Sequence, residues 1–254
     1  MREFTLLMLA HVLGDYYFQP QSLARAKSRN LGWVLLHALI YAAACASMLL
    51  FLGGGFIFAL AAAAGTHLII DMVKQAVLNT LAKKDILTVK GERAAFIIDQ
   101  ALHIGVALAA AFLVSSRFPS EVPPYMVSVG AALHTDAYRV LNFAVMGLAA
   151  VKPANVFIRR MLVTEKPDEA PLHRERLRAG SYIGGLERLL VIALLALGQY
   201  GSIAIVFTAK SIARFRQLDD REFAEYYIFG TLLSIVTAVG IFMLMKLFGA
   251  YLPA

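Results

Sequence analysis

Histidine and aspartate recur in pairs, four positions apart, within apolar parts of the sequence. The pairs are His11 and Asp15 in "HVLGD", His67 and Asp71 in "THLIIDMVK", and, in reverse order, Asp99 and His103 in "FIIDQALH"; "LLHALIY" adds His37. This spacing places both side chains of a pair on one face of a helix, one turn apart. Histidine nitrogen and carboxylate oxygen together form a ligand set for zinc, manganese or iron. The pattern therefore predicts a divalent metal centre.

The composition is that of a membrane protein. The chain has 254 residues, of which 59% are hydrophobic and 16% charged, with a mean hydropathy of +0.68. Soluble domains are about 45–50% apolar and about 25% charged. His11 and Asp15 interrupt the first apolar run, so we do not interpret it as a cleaved signal peptide. The net charge of +7 requires no nucleic acid as a partner, because basic loops orient membrane proteins.

We predict an all-α, polytopic transmembrane helical bundle that uses the lipid bilayer as its solvent. Apolar runs long enough to cross about 30 Å of hydrocarbon recur along the whole chain. If the N-terminus is outside, the inner loops hold 18 of the 24 lysines and arginines, as the positive-inside rule requires. Both termini are then outside, and Pro153 is expected in a turn after the fifth segment. The eight predicted segments are 4–19, 31–52, 56–80, 94–116, 130–151, 181–198, 201–215 and 225–248.

This topology places the seven polar residues at a similar depth in the cytoplasmic half of the membrane. An ionisable group in a membrane helix costs about 2.5–3.5 kcal/mol and usually faces the bundle interior for a functional reason. We take all seven as candidate metal ligands: His11, Asp15, His37, His67, Asp71, Asp99 and His103. A hydrogen-bonded network without metal, or a path for protons or ions, explains the same residues. Lys74, one turn beyond Asp71, is interpreted as a lysine that reaches the membrane surface.

A second polar cluster lies towards the C-terminus. Arg188, Lys210 and Arg214 are predicted to bind an anionic group of a substrate. Glu187 is a candidate catalytic acid or base. Basic residues that merely mark helix ends explain the cluster equally simply. We divide the chain into a four-helix His/Asp module (1–124), a fifth segment with a basic cytoplasmic loop (125–180) and a C-terminal membrane module (181–254).

Several sequence blocks, in a fixed order, resemble those of a known family. The blocks are "HVLGDYYFQ", "LLHALIY", "THLIIDMVK", "FIIDQALHIG", "IGGLERLL", "AKSIARF" and "EYYIFGTLLS". The resemblance is to the bacterial integral membrane proteins of domain of unknown function 3307, and it implies a shared fold, shared site residues and a bacterial cytoplasmic (inner) membrane location. It implies no activity.

Three kinds of function remain open from the sequence. The first is a metal-dependent hydrolase or transferase that acts on a lipid or polyprenyl phosphate from the inner leaflet. The second is a transporter of divalent cations or protons. The outer halves of two segments, "FLGGGFIFALAAAA" and "GVALAAAFLV", contain no ionisable residue and argue against a continuous path. The third is a non-catalytic scaffold or sensor.

Overall fold

The computed structural model describes residues 1–27, 31–162 and 171–250, and this part of the chain is almost entirely helical. The strands among these residues are β1 (Gly53–Gly54) and β2 (Ser120–Glu121), which pair antiparallel. The helices are α1 (Arg2–Val12), α2 (Gln21–Ala26), α3 (Leu31–Ser47), α4 (Phe56–Lys83), α5 (Val89–Ala109), α6 (Ser115–Arg117), α7 (Pro124–Ala132), α8 (Ala137–Leu162), α9 (Pro171–Ala196), α10 (Tyr200–Ala213) and α11 (Arg221–Phe248). Short turns extend some of them: π-helical Leu13–Tyr17 after α1 and Ala110–Val114 after α5, and 3₁₀ Met48–Leu50 after α3 and Phe215–Gln217 after α10.

In the described part of the chain, five helices are long and apolar enough to cross a membrane. They are Gly32–Leu50, Phe56–Lys83, Val89–Arg117, Ala137–Leu162 and Arg221–Phe248. Large apolar side chains project outward from them, as at Leu39 and Phe112, which are 68% and 67% exposed. These helices correspond to the second, third, fourth, fifth and eighth predicted segments. The transmembrane helical character is confirmed, while the number eight stays a prediction.

The expected turn at Pro153 is wrong. Helix α8 begins at Ala137 and continues through Pro153 to Leu162. Proline removes one backbone hydrogen bond from a helix, but within a long membrane helix the surrounding bonds and neighbouring helices keep the segment helical. The beginning of the predicted basic cytoplasmic loop after the fifth segment is therefore the end of a helix.

The described residues divide into two compact units. Unit 1 comprises Met1–Val145 and Met245–Ala254, and unit 2 comprises Met146–Leu244. The predicted division of the sequence at 124/125 and at 180/181 remains a prediction.

Helix α1 lies in the interior of unit 1. Its residues from Phe4 to Val12 are all buried, and it packs against α3, α4 and α5. A helix that is apolar on every side belongs in a core rather than on a surface. His11 on this helix and Asp15 in the π-helical turn after it therefore project among other helices, and this arrangement positions the site described next.

Candidate metal centre

The seven predicted His and Asp residues meet inside unit 1. α1 and its π-helical turn supply His11 and Asp15, α3 supplies His37, α4 supplies His67 and Asp71, and α5 supplies Asp99 and His103. His37 and His67 are almost completely buried, at 0% and 1% exposure, whereas the Asp15 side chain retains 12%. The i, i+4 pairs point inward from their helices, so residues far apart in sequence come into contact.

His37 and His67 lie next to each other, and Asp15 and Asp71 each approach both of them. His37 Nε2 lies 3.1 Å from Asp15 Oδ1, 3.1 Å from His67 Nε2 and 3.5 Å from Asp71 Oδ2. His67 Nε2 lies 3.4 Å from Asp15 Oδ1 and 3.7 Å from Asp71 Oδ2. With metal–ligand bonds of about 2.0–2.1 Å, the edge of a coordination tetrahedron is about 3.3–3.4 Å. The five distances, from 3.1 to 3.7 Å, are close to such edges, and the ligand atoms of His37, His67 and Asp71 all lie within 4.8 Å of one another. Each aspartate thus completes a three-ligand set with the two histidines.

Asp15 is held in place by a close approach of α1 to α3. It lies in the π-helical turn Leu13–Tyr17, next to Gly14. A Cβ atom at Gly14 would come within 2.7 Å of Tyr41 Cδ2, so only glycine fits at this packing. Tyr41 in turn stacks on the His67 ring, with centroids 3.6 Å apart and planes 5° from parallel. Single π-helical turns are frequent at functional sites, and here the turn sets the position of a carboxylate.

Two lysines neutralise carboxylates at one side of the site. Asp71 accepts hydrogen bonds from Lys27 Nζ at 2.5 Å and Lys74 Nζ at 2.7 Å, and Lys74 Nζ also lies 2.9 Å from Asp99 Oδ1. The interpretation of Lys74 as a residue that reaches the membrane surface is wrong, because its charge is used between two buried carboxylates. Three carboxylates against two ammonium groups leave Asp15 without a lysine among the described contacts. With neutral histidines, the cluster keeps one negative charge, which favours a bound cation.

Gln100 connects the aspartate of α5 to α1. Its Nε2 donates to Asp99 Oδ2 at 3.0 Å, which leaves Oε1 as an acceptor. Oε1 accepts from Tyr16 at 2.7 Å and lies 3.3 Å from His11 Nε2. The hydrogen bonds thus run without interruption from Lys74 through Asp99 and Gln100 to His11.

Sequence reasoning did not assign Lys27, Gln100 or Tyr41 to the site. Tyr41 could have been found, because it lies one turn after His37 on the same face of α3. Gln100 follows Asp99 directly in the sequence, and adjacent residues of a helix do not share a face. Its position therefore does not indicate that its side chain reaches the site. Lys27 lies in a predicted inner loop, where the positive-inside rule already explains the basic residues. Nothing else in its sequence context indicates that it contacts the site.

Unit 2 contains the predicted Glu187–Arg188–Lys210–Arg214 cluster. Arg188 is buried and donates to Ala150 O at 2.6 Å, Ser234 Oγ at 3.1 Å and Asn155 Oδ1 at 2.5 Å. These bonds to neutral acceptors tie α8, α9 and α11 together.

The other three residues of that cluster are more accessible. Lys210 donates to Glu187 Oε2 at 2.7 Å, and Lys210 and Arg214 lie 5.4 and 5.8 Å from the centroid of the Tyr227 ring. Their predicted roles in catalysis and anion binding stay predictions.

Comparison with known proteins supports the resemblance over the N-terminal part of the chain, which carries this site. Residues 4–126 match the family model described as "Protein of unknown function (DUF3307)". All seven His and Asp residues lie within the matched range, whereas the C-terminal blocks lie outside it. No curated protein and no solved structure is significantly similar to the chain.

Proposed function

We propose that this chain is a multi-pass metalloprotein of the bacterial cytoplasmic membrane, with eight segments and both termini outside. The metal site lies in the cytoplasmic half of the bilayer. One observation carries the proposal: the Nε2 atoms of His37 and His67 lie 3.1 Å apart, and one oxygen of Asp15 and one of Asp71 each lie 3.1–3.7 Å from both nitrogens, which is close to the ligand spacing around an ion such as zinc. Manganese and iron accept the same nitrogen and oxygen ligands.

The chemistry that fits best is metal-dependent hydrolysis or group transfer on a lipid or polyprenyl phosphate. A divalent ion at this position supplies a Lewis acid and lowers the pKa of bound water. Lys27 and Lys74 keep Asp71 ionised and can compete with the ion for it, which would leave one ligand position open. Within unit 2, Lys210 and Arg214 are candidates for binding an anionic group, and Glu187 is a candidate acid or base. Arg188 donates three hydrogen bonds within the protein, to Ala150, Ser234 and Asn155. It can bind an anion only through the N–H groups that these bonds do not use.

The direct test is elemental analysis of protein purified in detergent without chelators or metal-affinity resin. We expect one or more divalent ions per wild-type chain and one ion fewer per chain in His67→Ala. His134→Ala is the matched control, because His134 is exposed and lies outside the cluster. Equal metal content in wild type and His67→Ala would refute the metal site.

Activity is tested on the same samples. Metal-loaded protein in vesicles that contain a polyprenyl phosphate or phosphatidic acid should release phosphate or form a transfer product. The His67→Ala protein should do neither, and His134→Ala should match the wild type. A metal-loaded wild type that leaves both lipids unchanged would contradict the catalytic part of the proposal and leave metal binding intact.

A second candidate is a non-catalytic scaffold in which the polar residues only join helices. The specific observation in its favour is the pairing of Lys27 and Lys74 with Asp71 and Asp99, which already compensates two of the three carboxylates. One proton shared by His37 and His67 would compensate the third, because their Nε2 atoms are 3.1 Å apart. A scaffold of this kind would be purified free of metal, folded, and unable to take up added zinc.

A further inference from the structure

Four histidine nitrogens of the cluster are buried and have no hydrogen-bond partner among the described residues. Two of them are the Nδ1 atoms of His37 and His67, whose Nε2 atoms belong to the proposed metal site, and the other two are His11 Nδ1 and His103 Nε2. A buried polar atom without a partner costs about 1–3 kcal/mol. Such atoms are therefore rare and call for a ligand, water or ion. His11 Nδ1 and His103 Nε2 belong to histidines outside the set around His37 and His67.

Hydrogen bonds determine where the His11 proton resides. Gln100 Oε1 is an acceptor, because Gln100 Nε2 donates to Asp99. His11 Nε2, 3.3 Å from that oxygen, must therefore carry the proton and donate. His11 Nδ1 is then left with a lone pair, and it lies 3.6 Å from Asp15 Oδ2.

His103 is fixed in the opposite tautomer. Its Nδ1 lies 2.7 Å from the backbone carbonyl of Asp99 and must donate to it, since a carbonyl can only accept. A histidine whose one nitrogen donates to a carbonyl presents the other as a metal ligand, which is the usual arrangement around protein-bound metals. The His103 ring lies 5.2 Å from the His11 ring, nearly parallel to it at 15°, and 4.4 Å from the His67 ring.

The two oxygens of Asp15 face different histidines. Oδ1 lies beside His37 and His67, at 3.1 and 3.4 Å, whereas Oδ2 lies beside His11. In addition, His11, Asp15 and His67 each offer a ligand atom within 4.8 Å of the others. A carboxylate in this position can bridge two metal ions.

We propose a second divalent ion held by His11 Nδ1, Asp15 Oδ2 and His103 Nε2, with Asp15 as the bridge to the first ion. This inference rests on the proposed function for the first ion only. Two divalent ions would exceed the single negative charge of the cluster by three positive charges, so the pair requires an anionic oxygen ligand. A phosphate group of a lipid meets that requirement, because two-metal sites about 3.5–4 Å apart bind both oxygens of a phosphoryl displacement.

The test counts ions and needs no substrate. Apo protein, full length and in detergent, is titrated with Zn²⁺ by calorimetry, and the loaded protein is analysed for metal after dialysis. We expect two ions per wild-type chain, one per chain in His11→Gln and in His103→Gln, and two in the control His134→Ala.

Electron paramagnetic resonance of the Mn²⁺-loaded wild type is an independent test. It does not depend on whether the variants fold. Two ions that share a carboxylate give an exchange-coupled electron paramagnetic resonance spectrum, whereas the two glutamine variants should give the six-line spectrum of an isolated ion. One ion per wild-type chain, or an uncoupled spectrum at full loading, overturns the second site and leaves the proposed function standing. No bound ion in the wild type overturns both, and two ions in either glutamine variant overturn the ligand assignment.

Discussion

Gly14→Ala tests the link between helix packing and the metal site. The new Cβ would lie 2.7 Å from Tyr41 Cδ2, 3.3 Å from Cε2 and 3.4 Å from Cγ. Carbon atoms in contact are normally about 3.5–4.0 Å apart, so the turn or the ring must move by about 1 Å. Tyr41 is buried and stacked on His67, while Gly14 precedes Asp15, so either movement displaces a proposed ligand.

The expected magnitude follows from this displacement. Overpacking of this size costs about 1–3 kcal/mol of folding stability. Metal–ligand distances in proteins vary by only about 0.2 Å. Substituting a residue that holds a ligand in position weakens metal affinity by about 10–100-fold. We therefore expect Gly14→Ala to bind Zn²⁺ at least about tenfold more weakly than the wild type, which is about 1.4 kcal/mol.

Gly65→Ala is the matched control. Gly65 lies in α4, near His67, and an added Cβ there meets no atom within 4 Å. Both changes add one methyl group to a helical segment, and only the one at Gly14 meets a neighbouring side chain, so a larger loss in Gly14→Ala reports the clash. The assays are thermal unfolding in detergent and Zn²⁺ affinity by competition with a chelator. Equal unfolding temperatures and equal affinities in the two variants would refute the reasoning.

Two further predictions concern buried charges. Lys74→Met leaves Asp99 without its lysine, so the free energy of unfolding of the apo protein should fall by at least about 1 kcal/mol. Saturating Zn²⁺ should restore most of this stability, whereas a scaffold would show the same loss with and without Zn²⁺. Arg188→Met removes the donors to Ala150, Ser234 and Asn155 and should lower stability by at least about 1.5 kcal/mol, the least that one hydrogen bond to a charged group contributes, with metal content unchanged. Thermal unfolding measures both, and a metal-depleted but fully stable Arg188→Met protein would contradict the second.

The sequence predictions that agree with the structure are those that depend on the spacing of residues within one helix. His67 and Asp71 share a helix face because α-helical periodicity is a property of the chain itself, and a polar pair in an apolar helix must face the interior. The same reasoning placed all seven residues on helices, and the structure brings them together. Pro153 was misjudged because the local preference of proline for helix ends is overridden within a long membrane helix.

Tertiary structure alone decided which atoms meet. Helix α1 is mostly apolar from Phe4 to Val12, and only the packing of α3, α4 and α5 around it makes it an interior helix. Lys27 is 44 positions from Asp71, yet the two form an ion pair, and no local rule connects them.

Tertiary structure also sets the position of Asp15, whose two oxygens lie beside His37 and His11. The π-helical turn and the close packing of Gly14 against Tyr41 place the carboxylate there. Sequence by itself determined a polar layer of histidine and aspartate within a helical membrane protein. The separation of that layer into two candidate ion positions depends on distances between helices, which side-chain packing sets and periodicity does not.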